Sequence, residues 1–219
     1  MKAGDPCEIL NRMGRSAQAT IEAVSESEGA RLQLTRLFPL THKSLFLKVS
    51  QAIPQKQKMD SLVDWAAELG IQELWVTETK RSIVKMKGEA RERAQKRWER
   101  IVIEACKQSR SPVLTRIEGP LPLEQVIQEK VERFDRAFLF HPDSKGMPFS
   151  EWIQSLQRLK AEEHPVPLFL FFGPEGGFSE EEVKKAQSRG IQKVFLGEST
   201  LRVEVAFLGV LGALRFLVG

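Results

Sequence analysis

The sequence predicts an α/β fold in which a small N-terminal β region precedes a larger parallel sheet. From residue 45 to the C-terminus, short apolar runs alternate with stretches of helical period, which is typical of parallel α/β sheets. Residues 1–40 instead carry short alternating stretches separated by Gly and Ser, which indicates β-strands. We therefore predict two domains, residues 1–40 and residues 41–219.

The elements follow in chain order. In the N-terminal domain, residues 19–24 and 31–34 are predicted strands, and residues 39–42 form a link. The strands predicted in the second domain are residues 45–49, 73–76, 113–117, 136–140, 168–172 and 193–196. The helices predicted there are 60–69 closed by Gly70, 90–109, 123–131, a helix capped by Ser150, 179–189 closed by Gly190, and a terminal apolar helix.

The glycine-rich stretch GPEGGFS, residues 173–179, follows a predicted buried strand and leads into a helix that Ser179 and Glu182 start as a capping box. Its glycines allow a flat ligand to approach the backbone, although an ordinary strand-to-helix turn is an equally good interpretation of a Gly-Gly pair. The stretch lacks the Gly-Lys-Ser/Thr ending of a phosphate loop, and Glu175 would repel an anion. A neutral or cationic ligand therefore fits better than a triphosphate.

A second loop of this kind, LGESTLRVE at residues 196–204, lies between a short predicted strand and the terminal helix. Ligands of α/β sheets usually bind at the carboxyl ends of neighbouring strands. The two loops therefore predict a single ligand site at one edge of the sheet.

Several ordered motifs resemble the RsmE family of methyltransferases. FGPEGGFSEEE (172–182) and LGESTLRVEVA (196–206) are similar to the two cofactor loops of that family. QAIPQKQKMD (51–60), AELG (67–70) and RWERIVIEACKQS (97–109) resemble its first motif and its central helix, and the resemblance extends from about Gly4 to the C-terminus. It implies S-adenosylmethionine-dependent methylation of N3 of a uridine in small-subunit (16S) ribosomal RNA. It also implies a SPOUT-type parallel sheet with a C-terminal trefoil knot, and an N-terminal PUA-like β domain that binds RNA.

The resemblance also implies roles for individual residues. The main chain of the cofactor loops should wrap the adenosine, at Gly173, Gly176, Gly177, Leu196, Gly197 and Leu201. Glu175 should face the sulfonium; its alternative role is a partner for the helix dipole. Arg202 should stabilise negative charge on the uracil oxygens, or else pair at the surface with Glu204 or Glu198. Glu204 should orient Arg202 or accept a proton, unless it caps the helix.

The chain departs from the family at several positions. Val203 and Val205 replace threonines that relatives usually carry, and Ser199 often stands where they have Arg. The valines remove hydroxyls near Arg202 and Glu204. The N-terminal region also lacks the opening strand of the family's barrel, so we expect an incomplete domain that leans on a partner subunit or is loosely ordered.

A basic segment is the predicted contact for the RNA backbone. Lys80, Arg81, Lys85 and Lys87 have no acidic residue among them, although a solvated basic surface is the alternative interpretation. The net charge of +4 and pI near 9.1 are compatible with a nucleic-acid partner without being diagnostic. We expect the partners to be ribosomal RNA or the small ribosomal subunit.

Composition limits the remaining possibilities. The two cysteines are far apart, and the three histidines have no ligand spacing, so neither a disulfide framework nor a metal site is expected. The start of the chain has no signal pattern, and the apolar stretch at residues 205–218 is too short to span a bilayer, so we expect a cytoplasmic protein without a membrane partner. The terminal helix is apolar nearly all round, which together with the resemblance predicts a homodimer.

Two alternative functions remain open from the sequence. One is a SPOUT methyltransferase that modifies another RNA position, such as a ribose 2′-oxygen. The other is an RNA-binding assembly factor that kept the fold without catalysis, which the two valines and the short N-terminal region favour.

Overall fold

The computed structural model describes residues 1–10, 16–25, 27, 29–38, 45–55, 58–111, 113–131, 136–159 and 167–218. Its strands are β1 (Pro6–Leu10), β2 (Ser16–Ser25), β3 (Gly29–Leu37), β4 (Phe46–Ala52), β5 (Glu73–Glu78), β6 (Arg116–Pro122), β7 (Arg136–Phe140), β8 (Met147–Pro148), β9 (Pro167–Phe172) and β10 (Gln192–Phe195). Its helices are α1 (Met59–Glu68), α2 (Glu89–Ser109), α3 (Leu123–Glu129), α4 (Phe149–Leu159), α5 (Glu180–Ser188) and α6 (Val203–Ala213), followed by a π-helical segment (Leu214–Val218).

The N-terminal strands form an antiparallel sheet in the order β1-β2-β3. Ala17, Ala19 and Ile21 of β2 are buried on one face, as the alternation in the sequence predicts. β1 was not predicted, because it is short and begins with a proline, which usually weakens a strand assignment. The predicted link at residues 39–42 lies outside the described residues.

The second sheet has seven strands in the order β6-β5-β4-β9-β7-β10-β8, and every adjacent pair is parallel. The predicted parallel α/β sheet is therefore confirmed. Because the strands are parallel, the loops that follow them all start at the same edge of the sheet. β9, β7 and β10 are consecutive neighbours, so the two predicted ligand loops leave strands separated by β7 alone.

Helices cover both faces of this sheet. Leu168, Leu170 and Phe172 of β9 join a core formed with α1, α2, α4 and α6. Phe169 and Phe171 point the other way and pack in a second core with α3 and α5. A strand buried on both faces needs apolar residues at every position, which explains the continuous run PLFLFF.

Two predicted boundaries are wrong. β6 begins at Arg116 rather than residue 113, because the Val113 carbonyl accepts hydrogen bonds from Cys106 Sγ and Ser111 Oγ instead of pairing in the sheet. α4 begins at Phe149, so Ser150 lies inside the helix and does not cap it. Both errors concern ends of elements, where local hydrogen bonds decide the boundary.

The C-terminal helix α6 is apolar on more than one face, as predicted. Phe207, Val210 and Leu211 are almost completely buried, whereas Val205 and Leu208 are 51% and 38% exposed. In the following π-helical segment, Phe216 is 81% exposed. None of the helices in the described part of the chain combines the length and the hydropathy needed to cross a lipid bilayer.

Candidate functional site

The two predicted loops line one cleft of about 250 Å³. We call residues 173–179, after β9, the first loop, and residues 196–202, after β10, the second loop. All of the predicted ligand-binding residues border this cleft, namely Gly173, Glu175, Gly176, Gly177, Leu196, Gly197 and Leu201. Arg81, His141 and Pro142, which belong to other loops at the same edge of the sheet, also line it. The structure therefore brings the predicted site together.

Two glycines leave room for a ligand in this cleft. Gly177 has a φ of +65° and Gly197 has a φ of +128°, values that L side chains rarely adopt. A Cβ added at either position would meet no atom within 4 Å, so the space beside each backbone is empty. The Gly177 N–H donates to the Pro174 carbonyl at 2.8 Å, which closes the tight turn of the first loop. The backbone thus forms an open cradle of the kind that a flat ligand needs.

Gly176 and Gly173 are glycines for a different reason. Gly176 does not have a left-handed φ, so its backbone conformation does not require a glycine. A Cβ at Gly176 would lie 3.3 Å from Arg81 Cβ, and a Cβ at Gly173 would lie 3.3 Å from the backbone of Gly177. At these two positions protein fills the space that a Cβ would need, although both residues border the cleft.

The first loop is held by contacts from outside it. Arg81 Nη1 donates to the Gly176 carbonyl at 2.8 Å. The Gln55 N–H lies 3.1 Å from both carboxylate oxygens of Glu175, and Phe178 is 2% exposed. The loop's position is therefore fixed by β4 and β5 as well as by its own strand.

The predicted capping box at the end of the first loop is present. Ser179 Oγ accepts from the Glu182 N–H at 3.3 Å, and the Ser179 N–H donates to Glu182 Oε2 at 2.7 Å. The Lys80 N–H donates to Glu182 Oε1 at 2.8 Å. Glu182 is 8% exposed, so this carboxylate ties the start of α5 to the loop after β5 inside the protein.

Lys58 joins the carboxylates that belong to the two loops. Its Nζ lies 3.3 Å from Glu175 Oε1 and 2.9 Å from Glu204 Oε1. The hydrogen bond to Glu204 is the main cause that raises the pKa of Lys58, and Glu175 adds to it, whereas partial burial opposes the rise. Lys58 lies within the motif at 51–60, but a lysine in a polar stretch gave no signal of this role.

Glu204 and Arg202 are not paired with each other. Although burial works to raise the pKa of Glu204, the backbone N–H of Glu204 and the Lys58 ammonium lower it. Glu204 Oε2 is buried without a hydrogen-bond partner among the described residues. The bound oxygen of Glu204 contacts Lys58 in this structure, and the charge of Arg202 also helps to lower the pKa of Glu204. That Glu204 orients Arg202 stays a prediction.

Arg202 occupies the N-cap position of α6 with an extended backbone, φ −63° and ψ 154°. Its side chain is exposed and forms no ion pair with any residue that the structure describes. The alternative of a surface pair with Glu204 or Glu198 is thus not observed. Arg202 lies between Leu201 and Val203, two residues that line the cleft, and its exposed guanidinium has no ion-pair partner among the described residues.

The predicted RNA-contact residues divide into two pairs. Lys80 forms an ion pair with Glu181, and Arg81 holds the first loop. Lys85 and Lys87 are exposed and make no ion pair within the described ranges. RNA contact by these four residues stays a prediction. Lys85 and Lys87 are the better candidates, because Lys80 and Arg81 already bind other groups of the protein.

A larger cleft of about 650 Å³ lies between α3 and α5. Several charged side chains in its walls already have protein partners: Lys185 pairs with Glu124 and Glu181, and Arg189 donates to the Gln128 carbonyl. It contains none of the glycine loops. We therefore assign the ligand to the smaller cleft.

Within the described residues, no group of three or more His, Cys, Asp and Glu could hold a metal ion.

Comparison with known proteins shows the family to which the chain is similar. Residues 41–215 match the family model of the RNA methyltransferase domain. The chain is 24% identical to the ribosomal RNA small subunit methyltransferase E of Bacillus subtilis, over 99% of this chain and 83% of that protein. It is 34% identical to the enzyme of the same name from Aquifex aeolicus, over 71% of this chain and 62% of that protein.

Solved structures share the fold. A Legionella pneumophila protein assigned as a methyltransferase, solved with its cofactor SAM bound, has a TM-score of 0.76 and 25% identity, over 98% of this chain and 84% of that one. The ribosomal RNA small subunit methyltransferase E of Neisseria gonorrhoeae, solved with S-adenosyl methionine, has a TM-score of 0.78 and 22% identity, over 99% of this chain and 85% of that one.

Proposed function

This chain belongs to the RNA methyltransferase domain family, and we propose that it methylates N3 of a uridine in small-subunit ribosomal RNA, using S-adenosylmethionine. The observation that carries the proposal is the cleft that both glycine loops line, inside the region of the family match. The ribosomal RNA methyltransferases to which the chain is similar along nearly its whole length support the choice of substrate.

The cleft fits the cofactor in shape and in charge. The empty space beside Gly177 and Gly197 allows the adenosine to lie against the main chain of both loops. Glu175 lines the cleft and carries a negative charge that would favour a cationic ligand, although Lys58 partly balances that charge in this structure. When bound, the cofactor supplies an electrophilic methyl group on a sulfonium. Most of the rate enhancement would then come from positioning and from preorganised charge.

Arg202 is the residue to which we assign stabilisation of the uracil. The imide proton at N3 must leave as the methyl group arrives, which places negative charge on the flanking carbonyl oxygens. Arg202 is exposed at the start of α6 and carries a permanent positive charge. Its lack of an ion-pair partner among the described residues leaves that charge for the substrate.

Glu204 is assigned a positioning role and not that of the proton acceptor. One of its carboxylate oxygens is bonded to Lys58, and the other is buried. A group that takes a proton from a substrate must lie within hydrogen-bond reach of it. Glu204 instead helps to fix the start of α6, and the proton leaves to solvent or to a group that the bound RNA brings.

The finer features of the fold are proposals as well. We propose that the parallel sheet is of the SPOUT type with a C-terminal trefoil knot, and that residues 1–40 form a PUA-like RNA-binding domain next to the catalytic domain at 41–219. We also propose a cytoplasmic protein that acts on ribosomal RNA or the small subunit, with Lys80, Arg81, Lys85 and Lys87 near the RNA backbone. The antiparallel sheet β1-β2-β3 is the main support for a separate N-terminal domain.

A homodimer built through the C-terminal helix is part of the proposal. Val205, Leu208 and Phe216 present apolar surface to solvent in the single chain. Gly209 and Gly212 have no atom within 4 Å of the position of an added Cβ, so a second helix has room to approach α6 closely. Sedimentation at micromolar concentration should give a dimer, and Leu208→Glu should give a monomer; a wild-type monomer would refute this part.

The test of the function is the methylation state of ribosomal RNA. We expect ribosomal RNA from a deletion strain to lack one N3-methyluridine by mass spectrometry, and purified protein with S-adenosylmethionine to restore it. Because an N3-methyl group blocks the Watson–Crick edge, reverse transcriptase should stop at the restored position. Restoration of a ribose 2′-O-methyl group would favour the other position, and absence of any transfer or cofactor binding would favour the assembly factor.

A further inference from the structure

The end of β7 provides a third wall of the cleft, which the two glycine loops do not account for. β7 lies between β9 and β10, and His141, the first residue after it, lines the cleft between the two loops. The His141 N–H donates to the Val194 carbonyl at 3.0 Å, so its backbone is fixed to β10. The backbone of His141 is therefore held at the wall of the cleft, on the strand that lies between the two strands that carry the loops.

The hydrogen bond of one ring nitrogen sets the tautomer of His141. The Asp143 N–H donates to His141 Nδ1 at 3.1 Å, so Nδ1 is an acceptor and the ring proton is on Nε2. Nε2 lies on the opposite side of the ring and makes no hydrogen bond with a residue that the structure describes. The ring atom that remains available to a ligand in the cleft is thus Nε2, which is a hydrogen-bond donor.

The surroundings of His141 favour the neutral imidazole. Burial is the main cause that lowers the pKa of His141, and Lys193 and Arg81 lower it further, while Asp143 opposes them. Asp143 is itself ion-paired with Lys193, whose side chain is 11% exposed. The remaining charged group that lines the cleft, Glu175, is occupied by Gln55 and Lys58. His141 therefore adds a neutral hydrogen-bond donor to a cleft whose other ionisable lining residues, Arg81 and Glu175, are charged.

We propose that His141 is a cofactor-binding residue, whose Nε2–H donates a hydrogen bond to an acceptor atom of bound S-adenosylmethionine. The inference rests on the proposed function, because it takes the cleft to be the cofactor site. A neutral donor suits this ligand, since an imidazolium in the same cleft would add a positive charge beside a sulfonium. Arg81 keeps N–H donors besides the one bonded to Gly176, but its permanent positive charge suits a site beside a sulfonium less well than a neutral imidazole does.

A pair of amide variants separates the two nitrogens. Asn at position 141 places its amide near Nδ1 and keeps the contact with Asp143, but it does not reach the position of Nε2. Gln reaches the position of Nε2 with an amide donor and gives up the contact at Nδ1. We expect His141→Asn to weaken binding of S-adenosylhomocysteine, measured by calorimetry, by about three- to tenfold, and His141→Gln to retain most of the affinity.

The acceptor atom can be located with a shorter ligand. 5′-Methylthioadenosine lacks the carboxylate and the ammonium of the cofactor. An equal loss of affinity for both ligands in His141→Asn would assign the acceptor to the adenosine, and a loss restricted to S-adenosylhomocysteine would assign it to the amino-acid part. Equal affinities of wild type and both variants for every ligand would overturn the proposal.

The tautomer provides a readout that does not depend on any ligand. The chain has three histidines, so nitrogen-15 spectra of the imidazoles are simple, and His141→Gln identifies the signal of His141. We expect a neutral ring protonated at Nε2 near pH 7. A ring protonated at Nδ1, or a charged ring, would overturn the proposal. Failure of the wild-type protein to bind the cofactor would refute both the proposed function and this inference, whereas normal binding with no effect of the variants would refute the inference alone.

Discussion

The two glycine loops look alike in the sequence but differ in how they are held. In the first loop, Arg81 bonds the Gly176 carbonyl, the Gln55 N–H bonds Glu175, and Phe178 is buried. In the second loop, residues 197–202 are all exposed. Only Leu196, at its start, packs against the main core among the described residues of this loop, and the contact of Lys58 with Glu204 lies two residues beyond it.

This difference indicates that the two loops contribute to binding in different ways. A loop that its own chain fixes is already in the shape that it needs for binding, so it does not have to be ordered when the ligand arrives. A loop without such contacts is completed by what binds to it. We therefore propose that the first loop is the preformed part of the cofactor site, and that the second loop is ordered by the cofactor together with RNA or a second subunit, which Arg202 is placed to contact.

The largest effect that would test this division is expected at Arg202. Arg202→Lys should reduce single-turnover methylation of ribosomal RNA by roughly 10²–10³-fold, by analogy with the loss of one oxyanion donor, because lysine keeps the charge but loses the planar fork. Cofactor affinity should change little. The exposed side chain has no described ion pair, so thermal stability should stay within about 0.5 kcal/mol of wild type. Methylation at the wild-type rate would remove Arg202 from the mechanism.

The second effect is expected in the first loop. Gly177→Val should abolish measurable cofactor binding in calorimetry, because a β-branched side chain disfavours a φ of +65° and would fill the open cradle. The matched control is Gly190→Val, at the end of α5, where φ is +81° and the space is also open. Both variants carry similar backbone strain of about 1–2 kcal/mol. Equal cofactor affinity in the two variants would mean that Gly177 serves only the turn.

The sequence predicted those features that are set by local pattern. The apolar run of β9, the capping box at Ser179 and the glycine loops all follow from residues close together in the chain. The family, which the motifs indicated, is confirmed by the match of residues 41–215. The roles of Lys58 and Arg81 could not be predicted, because each depends on a contact made across the sheet with residues about a hundred positions away or more.

A third, smaller effect on cofactor binding is expected at Lys58, which contacts both Glu175 and Glu204. Lys58→Met should weaken cofactor binding by less than about tenfold, since partly exposed ion pairs are weak and two carboxylates are left without their shared cation. Lys107→Met is the control, because Lys107 pairs with Glu104 on the exposed surface of α2. If both variants bind the cofactor equally well, Lys58 does not couple the two loops.

The pH dependence of this link follows from the two pKa shifts. The pKa of Glu204 is below its ordinary 4.5, so the pair contributes to stability above pH 4.5 and is lost as the pH falls through the lowered value. The pKa of Lys58 is above 10.5, so the pair persists up to pH 10.5 and is lost as the pH rises further. The stability difference between wild type and Lys58→Met should therefore be constant from pH 5 to 10, which thermal unfolding across this range will check.

The smallest effect is expected at the end of the first loop. Ser179→Ala removes the hydroxyl that accepts from the Glu182 N–H, and loss of such a cap costs about 1 kcal/mol. For a chain of this length we expect the melting temperature to fall by about 2–4 °C. Because Arg81, Gln55 and buried Phe178 also hold the first loop, cofactor affinity should change by less than about twofold. The control is Ser188→Ala, at the other end of α5. It also removes a serine hydroxyl, one that donates to the Lys185 carbonyl. If Ser179→Ala weakens binding as much as Gly177→Val, the first loop depends on its cap, and the outside contacts do not fix it.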